Sequence, residues 1–256
     1  AEFVTELVTN VGLAGRSRSL NWLEVGPGPG SKTFRVLDGL KRHFGTAAIA
    51  ATLLEPSRIW RDHLALDHSQ ALSTGQTVLL AQRLEEFVAS LAARPSGSYP
   101  NLCTAIHVLY DESSSAAWAE LLRILGATSG WIAVAIVESP DSDLARIRSQ
   151  LQAEGVETAN GVPFLNSVSK ARNSGMDLLE LPIAGQHLRL NRTELEALDS
   201  HWFFPFVLGE SLAAFLSRTE KLQAVTRSVV RAAVPADGVL TTPDIAFVTS
   251  KQAANE

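Results

Sequence analysis

The first 155 residues alternate short apolar runs with stretches in which apolar residues recur at helical spacing. The apolar runs end at turn residues and predict five strands, at 20–25, 47–54, 77–81, 101–109 and 131–137. The intervening stretches predict helices at 31–44, 58–67, 84–93, 113–125 and 141–154. Strands and helices that alternate in this way predict a parallel sheet with helices on both faces.

The pattern changes after residue 155. A polar connection is followed by an extended segment at 177–190, then by predicted helices and a last strand, at 193–204, 209–218, 220–234 and 244–249. Because the last strand returns to the sheet after a helical insertion, we expect it to be antiparallel. The chain is therefore interpreted as one domain, with a cofactor-binding core at 1–155, a helical substrate-side elaboration at 156–243 and a returning strand at 244–250.

Composition excludes several classes of protein. Apolar residues make up 46% of the 256 residues and charged residues 19%, which is typical of a packed globular protein and not of a disordered one. The formal charge of −5 argues against nucleic-acid binding. No apolar run approaches the ~18 residues of a membrane span. Cys103 is the single cysteine, so no disulfide forms within the chain, and we expect a cytoplasmic protein.

Three further expectations concern the terminus, metals and partners. The chain begins Ala1-Glu2-Phe3, without Met or a signal-peptide pattern, and we expect a trimmed terminus or an expression boundary. His187 and His201 are not spaced with carboxylates as metal ligands are, so no metal is predicted. An oligomer is compatible with the sequence but is not predicted.

The strongest chemical signal is a glycine-rich turn after the first strand, Glu24-Val25-Gly26-Pro27-Gly28-Pro29-Gly30. Alternate glycines allow a sharp turn and a close approach of the main chain to a ligand. The following helix presents its positive N-terminus to an anionic group. The spacing is G-x-G-x-G and differs from the dinucleotide fingerprint G-x-G-x-x-G. A purely architectural turn is the alternative interpretation.

Glu55 is the second signal. Pro56 disfavours helix at Glu55, so this carboxylate is expected at the end of the second strand. There it can accept hydrogen bonds from both hydroxyls of a ribose. NAD-binding folds share an acid at this position, so it indicates a ribose and not a particular cofactor. An ordinary surface acid is the alternative.

Together these motifs resemble motif I and the ribose-binding acid of the class I S-adenosylmethionine-dependent methyltransferases. The resemblance implies the Rossmann-like fold of that class, with a mostly parallel seven-stranded sheet, and S-adenosylmethionine as cofactor. It places glycines around the methionine part, Glu55 at the ribose, and the Gln82-Arg83 pair at the adenine. The expected cofactor-binding residues are Glu24, Gly26, Pro27, Gly28, Gly30, Glu55, Pro56, Ser57, Gln82, Arg83 and Ile106.

A looser resemblance is to the histamine N-methyltransferase family, through Leu54-Glu55-Pro56-Ser57, Ile106-His107-Val108-Leu109-Tyr110 and the last apolar strand. It implies that Ile106 lies beside the adenosyl group and that His107 takes the place of a substrate-binding glutamine. The amine-binding aromatic residues of that family have no counterpart after the fifth strand. Only about 20 residues precede the first strand, so we expect the covering N-terminal helices of that family to be missing or differently built here. Histamine itself is therefore not the expected substrate.

His107 and Tyr110 are the predicted catalytic residues. An imidazole with a pKa of about 6.5 can take a proton from an acceptor that arrives protonated. A structural histidine at the pocket edge is the alternative. Substrate contacts are expected from two groups, one after the fourth strand and one in the aromatic run at 201–206: His107, Tyr110 and Asp111, and Trp202, Phe203 and Phe206. The aromatic run would equally serve to bury the insertion.

The sequence therefore predicts an S-adenosylmethionine-dependent methyltransferase with a small-molecule acceptor. Nitrogen is the first expectation for the acceptor atom and oxygen or carbon the next. The Arg-rich, Lys-poor composition indicates a GC-rich genome, and bacterial secondary metabolism is the expected setting. The alternatives are a cofactor-binding enzyme with a non-methylating reaction such as cyclisation, and a nucleotide-binding regulatory protein without turnover.

Overall fold

The computed structural model describes residues 2–10, 19–45, 49–69, 72, 76–95, 98–158, 164–166, 168–169, 177–190, 203–208 and 212–251. The strands are β1 (Leu20–Val25), β2 (Ile49–Leu54), β3 (Thr77–Leu80), β4 (Leu102–Ile106), β5 (Trp131–Glu138), β6 (Leu179–Arg189) and β7 (Val239–Lys251). The helices are α1 (Glu2–Asn10), α2 (Ser31–Phe44), α3 (Arg58–Asp67), α4 (Leu84–Leu91), α5 (Glu112–Leu125), α6 (Asp143–Ala153), α7 (Phe203–Leu208), α8 (Leu212–Ser217) and α9 (Glu220–Ala233).

The strands form one sheet in the order β3-β2-β1-β4-β5-β7-β6. Neighbouring strands from β3 to β5 are parallel. β7 is antiparallel to β5, because the Gly130 amide donates to the Lys251 carbonyl at one end and the Ser139 amide donates to the Pro243 carbonyl at the other. These strands confirm the expected α/β fold with a mostly parallel seven-stranded sheet.

The central strands have continuous apolar sequences because helices cover both faces of the sheet. All of β1 except Asn21 is buried, and so is all of β5 except Glu138. Strands covered on both sides lose the alternation of apolar and polar residues that marks a half-exposed strand. This is why short apolar runs, and not period-two patterns, located the strands in the sequence.

The chain forms two compact units. The first unit comprises residues 1–136, 164–180 and 247–256, and the second comprises 137–163 and 181–246. In the second unit Arg148 forms a largely buried ion pair with Glu138 and donates from Nε to the Val207 carbonyl at 2.9 Å, which ties the end of β5 to α7. The division expected from the sequence, at residues 155 and 243, stays a prediction.

Several elements differ from the sequence-based bounds. The sequence pattern does not predict helix α1, and most of the predicted helix at 193–204 lies outside the described residues. β7 begins at Val239 and not at Asp244, because Pro243 lies within the strand and its carbonyl still accepts a hydrogen bond. β4 ends at Ile106, because the next residue leaves the extended conformation.

Within the described ranges, no helix is long and apolar enough to cross a bilayer.

Gly39 explains how α1 packs against α2. Glycine inside a helix costs about 1 kcal/mol relative to alanine. At this position a Cβ atom would lie 2.5 Å from Thr5 Oγ1 and 3.0 Å from Thr5 Cγ2. The missing side chain therefore lets the two helices approach, and Val4 and Val8 of α1 are fully buried.

We expect Gly39→Ala to lower the free energy of unfolding by about 1 kcal/mol, because overpacking outweighs the gain in helix propensity. Chemical denaturation of the purified variant measures this change. Thr5→Ala should relieve the clash, so the double variant should be more stable than Gly39→Ala alone. Equal effects of Gly39→Ala with and without Thr5→Ala would show that the two residues do not limit the helix approach.

Candidate cofactor cleft and active site

The glycine turn begins at Gly26, directly after β1. Its φ angle is +64°, a left-handed conformation that glycine adopts without strain. A Cβ atom at this position would lie 2.5 Å from Val108 Cγ1, in the loop after β4. The Gly26 amide donates to the Leu54 carbonyl at 2.9 Å. Both the backbone angle and the contact with Val108 therefore require glycine at this turn.

The Glu55 carboxylate holds the glycine turn in place. Its Oε2 accepts from the Gly28 amide at 3.0 Å, and its Oε1 accepts from the Ser57 amide at 2.9 Å. The residue is only 4% exposed. Each carboxylate oxygen has two lone pairs, so acceptor positions remain for further donors. Glu55 thus links the loop after β1 to the start of α3 and keeps capacity for a ligand.

A cleft of about 480 Å³ opens beside these loops, within the range of small-molecule sites. It lies where the carboxyl ends of the parallel strands and the loops that follow them meet, which is the usual place for a ligand in an open α/β sheet. Its walls are Val25, Gly26, Leu54, Glu55, Pro56, Ser57, Trp60, Gln82, Arg83, Leu84, Glu85, Val108, Asp111 and Ser114.

The cleft brings together seven of the seventeen predicted site residues. From the cofactor-binding set it contains Gly26, Glu55, Pro56, Ser57, Gln82 and Arg83, and from the substrate set it contains Asp111. Apart from the aromatic run, the predicted residues that do not form its walls are Glu24, Pro27, Gly28, Gly30, Ile106, His107 and Tyr110. Gly28 is connected to the cleft through its hydrogen bond to Glu55.

Sequence reasoning missed several wall residues, among them Trp60, Glu85, Val108 and Ser114. Trp60 lies in the first turn of α3, three residues after its N-cap Ser57. Once Glu55 is assigned to the end of β2, the first turn of the following helix is a place to look for cleft residues. No local sequence pattern assigns Val108 to the cleft, because its contact with Gly26 joins two loops that are far apart in the sequence.

Gln82 is a residue of the cleft wall with an unsatisfied acceptor. Its Oε1 is buried and has no hydrogen-bond partner among the described residues. A buried polar atom without a partner is costly, and in a native protein it calls for an explanation such as a ligand.

Hydrogen bonds also fix the start of α5 beside the cleft. Ser113 hydrogen-bonds Glu85, which joins the start of α5 to the start of α4. Asp111 caps α5 by accepting from the Ser114 amide at 2.8 Å.

Glu24 differs from the expectation for a cofactor-binding acid. Successive side chains of a strand alternate between its faces, and Val25 lines the cleft whereas Glu24 is buried at 3% exposure. Its carboxyl group hydrogen-bonds Thr104, and Thr33 Oγ1 donates to it at 3.4 Å. Burial raises the pKa of Glu24 from 4.5 to about 8, so the group is mostly protonated at neutral pH. Glu24 therefore supports the loop from inside the fold.

His107 has an unusual backbone. Its φ angle is 57°, and it is the only non-glycine residue with a positive φ in the described part of the chain. Its amide donates to the Ile136 carbonyl at 2.8 Å, and its Nδ1 lies 3.0 Å from Tyr110 Oη. A residue held in the left-handed region often marks a functional site. The pair predicted as catalytic is thus in direct contact, at the end of β4.

The aromatic run is only partly described. Phe203 is fully buried in the apolar core of the second unit, together with Phe204 and Phe215. Packing accounts for Phe203, which was the alternative to a substrate contact. Trp202 lies outside the described residues, and Phe206 belongs to α7 with a side chain that is not described. In the described ranges, no group of three or more His, Cys, Asp or Glu could hold a metal ion.

Comparison with solved structures identifies the fold. The chain is similar to a protein from Galdieria sulphuraria proposed to be a sarcosine dimethylglycine methyltransferase, with a TM-score of 0.53 and 15% identity over 98% of this chain and 86% of that one. This chain has the Rossmann-like fold of methyltransferases. No protein-family model and no curated protein sequence matches it.

Two other structures share the fold. One is a cyclopropane-fatty-acyl-phospholipid synthase-like protein from Lactobacillus casei, with a TM-score of 0.52 and 14% identity over 96% of this chain and 90% of that one. The other is the [4+2]-cyclase SpnF, with a TM-score of 0.50 and 16% identity over 98% of this chain and 81% of that one. Identities this low establish the fold alone, and the resemblance to histamine N-methyltransferases stays a prediction.

Because the pKa of Glu24 is raised in the folded state, we expect the free energy of unfolding to fall as pH rises from 4.5 to about 8. In that window the folded state keeps a proton that the unfolded state has lost, so the contribution falls by up to about 1.4 kcal/mol per pH unit. Urea unfolding of the wild type and Glu24→Gln between pH 5 and 8 measures it. The neutral amide should flatten the dependence, whereas Glu120→Gln, on an exposed helix face, should not. Parallel curves for the wild type and Glu24→Gln would contradict the assignment.

We expect Glu55→Ala to destabilise the protein as well as to weaken ligand binding, because two amides lose their acceptor. Both hydrogen bonds are part-buried, and a hydrogen bond to a charged group contributes about 1.5–3 kcal/mol. Denaturation should therefore show a loss of about 2 kcal/mol or more, and Glu55→Gln, which keeps one acceptor oxygen, should lose less. Unchanged stability in Glu55→Ala would mean that the carboxylate does not hold the glycine turn.

Proposed function

We propose that this protein is an S-adenosylmethionine-dependent methyltransferase that acts on a small molecule, with nitrogen as the preferred acceptor atom. The observation that carries the proposal is the meeting of three features at one cleft of about 480 Å³. These are the glycine turn at Gly26, the Glu55 carboxylate at the end of β2, and the unsatisfied Gln82 Oε1. The methyltransferase fold supports the same conclusion.

The chemistry of the cleft fits an adenosyl group. The remaining acceptor positions of Glu55 suit the two hydroxyls of a ribose, and Gln82 Oε1 suits an exocyclic amino group such as that of adenine. NAD also contains adenosine, so these two contacts alone do not choose between the cofactors. The G-x-G-x-G spacing, preceded by an acid in the strand, and the methyltransferase fold favour S-adenosylmethionine.

The bound cofactor would supply a methyl group already activated on a sulfonium. The protein then has to position the acceptor, exclude water and take a proton from an acceptor that arrives protonated. We assign the proton transfer to His107, with Tyr110 fixing the orientation of the imidazole through their 3.0 Å contact. Amines are protonated near neutral pH and need such a base, which is why nitrogen is preferred as the acceptor atom.

The setting of the reaction belongs to the same proposal. A net charge of −5 favours a small acceptor over nucleic acid. A cytoplasmic place and a role in bacterial secondary metabolism rest on composition and stay predictions. A fold alone does not define a reaction. Two alternative functions are therefore tested beside methyl transfer: cyclisation without methyl transfer, and ligand binding without turnover.

The test begins with calorimetry of S-adenosylmethionine, its demethylated product S-adenosylhomocysteine, and NAD. We expect the first two to bind and stabilise the fold, by about 2.7 kcal/mol at 100 times the dissociation constant. Incubation with candidate amines should give products heavier by one methyl group, as mass spectrometry shows. His107→Ala should lower kcat by about 10²–10⁴-fold and leave S-adenosylhomocysteine affinity unchanged. The exposed His43→Ala serves as control.

Each contrary result excludes a specific part of the proposal. Binding of NAD alone would overturn the cofactor. Conversion of an acceptor without a gain in mass would replace methyl transfer by a reaction such as cyclisation. Binding of S-adenosylhomocysteine without turnover of any acceptor would favour a regulatory protein. Full activity in His107→Ala would remove His107 from the mechanism.

A further inference from the structure

Trp60 is an aromatic residue of the cleft wall that the sequence motifs do not assign. It lies in the first turn of α3, and its amide donates to Ser57 Oγ at 3.5 Å. Ser57 and Glu55, the residues just before this helix, belong to the same cleft. Arg61 fastens the helix to that loop, since its Nη1 donates to the Glu55 carbonyl at 2.9 Å and to the Pro56 carbonyl at 2.6 Å. The position of the Trp60 backbone is therefore fixed relative to the carboxylate.

The indole ring of Trp60 is unusually open for a tryptophan. Its residue is 41% exposed, whereas Trp22, Trp118 and Trp131 are buried in the core. It is the only aromatic side chain in the wall of the cleft as the described residues form it. Its indole N–H donates to no side chain or carbonyl that the structure describes, and among the described rings it contacts that of His63, at 5.6 Å between centroids. Packing within the fold thus leaves much of the ring available to a ligand.

We propose that the Trp60 ring packs against the adenine of the bound cofactor and sets the affinity of the cleft for it. This inference rests on the proposed function, because it takes S-adenosylmethionine as the ligand. Glu55 would hold the ribose and Gln82 the amino edge of the base, and neither contact covers a face of the purine. A flat aromatic base that lies in the cleft has the face of Trp60 as its one aromatic partner among the described wall residues.

The expected effect is large enough to measure. Stacking of a base on an aromatic side chain changes affinity by about fivefold to 150-fold when the ring is removed. We therefore expect Trp60→Leu to weaken binding of S-adenosylhomocysteine by about tenfold or more. Trp60→Phe keeps an aromatic face and should bind within about threefold of the wild type. Ile59→Ala changes the neighbouring residue, which is 68% exposed and outside the cleft wall, and should bind like the wild type.

Tryptophan fluorescence separates a direct contact from a structural effect. Because Trp60 is the exposed one of the four tryptophans that the structure describes, S-adenosylhomocysteine should change the emission of the wild type through this residue. The change should be smaller in Trp60→Phe even though that variant still binds the ligand by calorimetry. Urea unfolding should show Trp60→Leu to be about as stable as the wild type, since the ring is largely exposed.

Two outcomes would overturn the inference, and they differ in what they mean for the function. If Trp60→Leu binds S-adenosylhomocysteine like the wild type, Trp60 does not pack against the ligand and the proposed function is untouched. If the wild type itself binds neither S-adenosylmethionine nor S-adenosylhomocysteine, the proposed function fails and the role of Trp60 fails with it.

Discussion

The arrangement of the cleft depends on one carboxylate. Glu55 accepts hydrogen bonds from Gly28 and Ser57, so it joins the glycine turn after β1 to the start of α3. Without that acceptor both half-buried amides would lose a hydrogen bond to a charged group, which contributes about 1.5–3 kcal/mol to stability. The residue proposed to hold the ribose is thus also the residue that shapes the loop around it, and loss of binding and loss of stability are coupled there.

A second acid supports the turn from beneath. Glu24 lies next to Val25 in β1, yet it points away from the cleft into a cluster with Thr104 and Thr33. Trp22 Nε1 donates to Thr104 Oγ1 at 2.7 Å, which extends the network. Because burial favours the protonated form, Glu24 works as a neutral hydrogen-bonding group rather than as a charge. The two acids of the motif therefore differ in role.

Local patterns in the sequence were enough to predict the strands and the position of the cleft. Continuous apolar runs located the five parallel strands, and the G-x-G-x-G turn with Glu55 located the cleft. Contacts that depend on distant segments could not be predicted in this way. The packing of Thr5 against Gly39 and of Val108 against Gly26 joins residues with no shared local signal. The aromatic character of Phe203 suits either a pocket or a core, and only the tertiary structure shows it buried.

The left-handed backbone of His107 has a consequence for the evolution of this position. Glycine would adopt a φ of 57° at lower energy than histidine, so the chain tolerates a conformational cost to keep an imidazole there. Selection for stability alone would favour glycine at position 107, whereas selection for turnover would retain the imidazole of histidine. If His107 transfers a proton, stability and catalysis impose opposite preferences on this single residue.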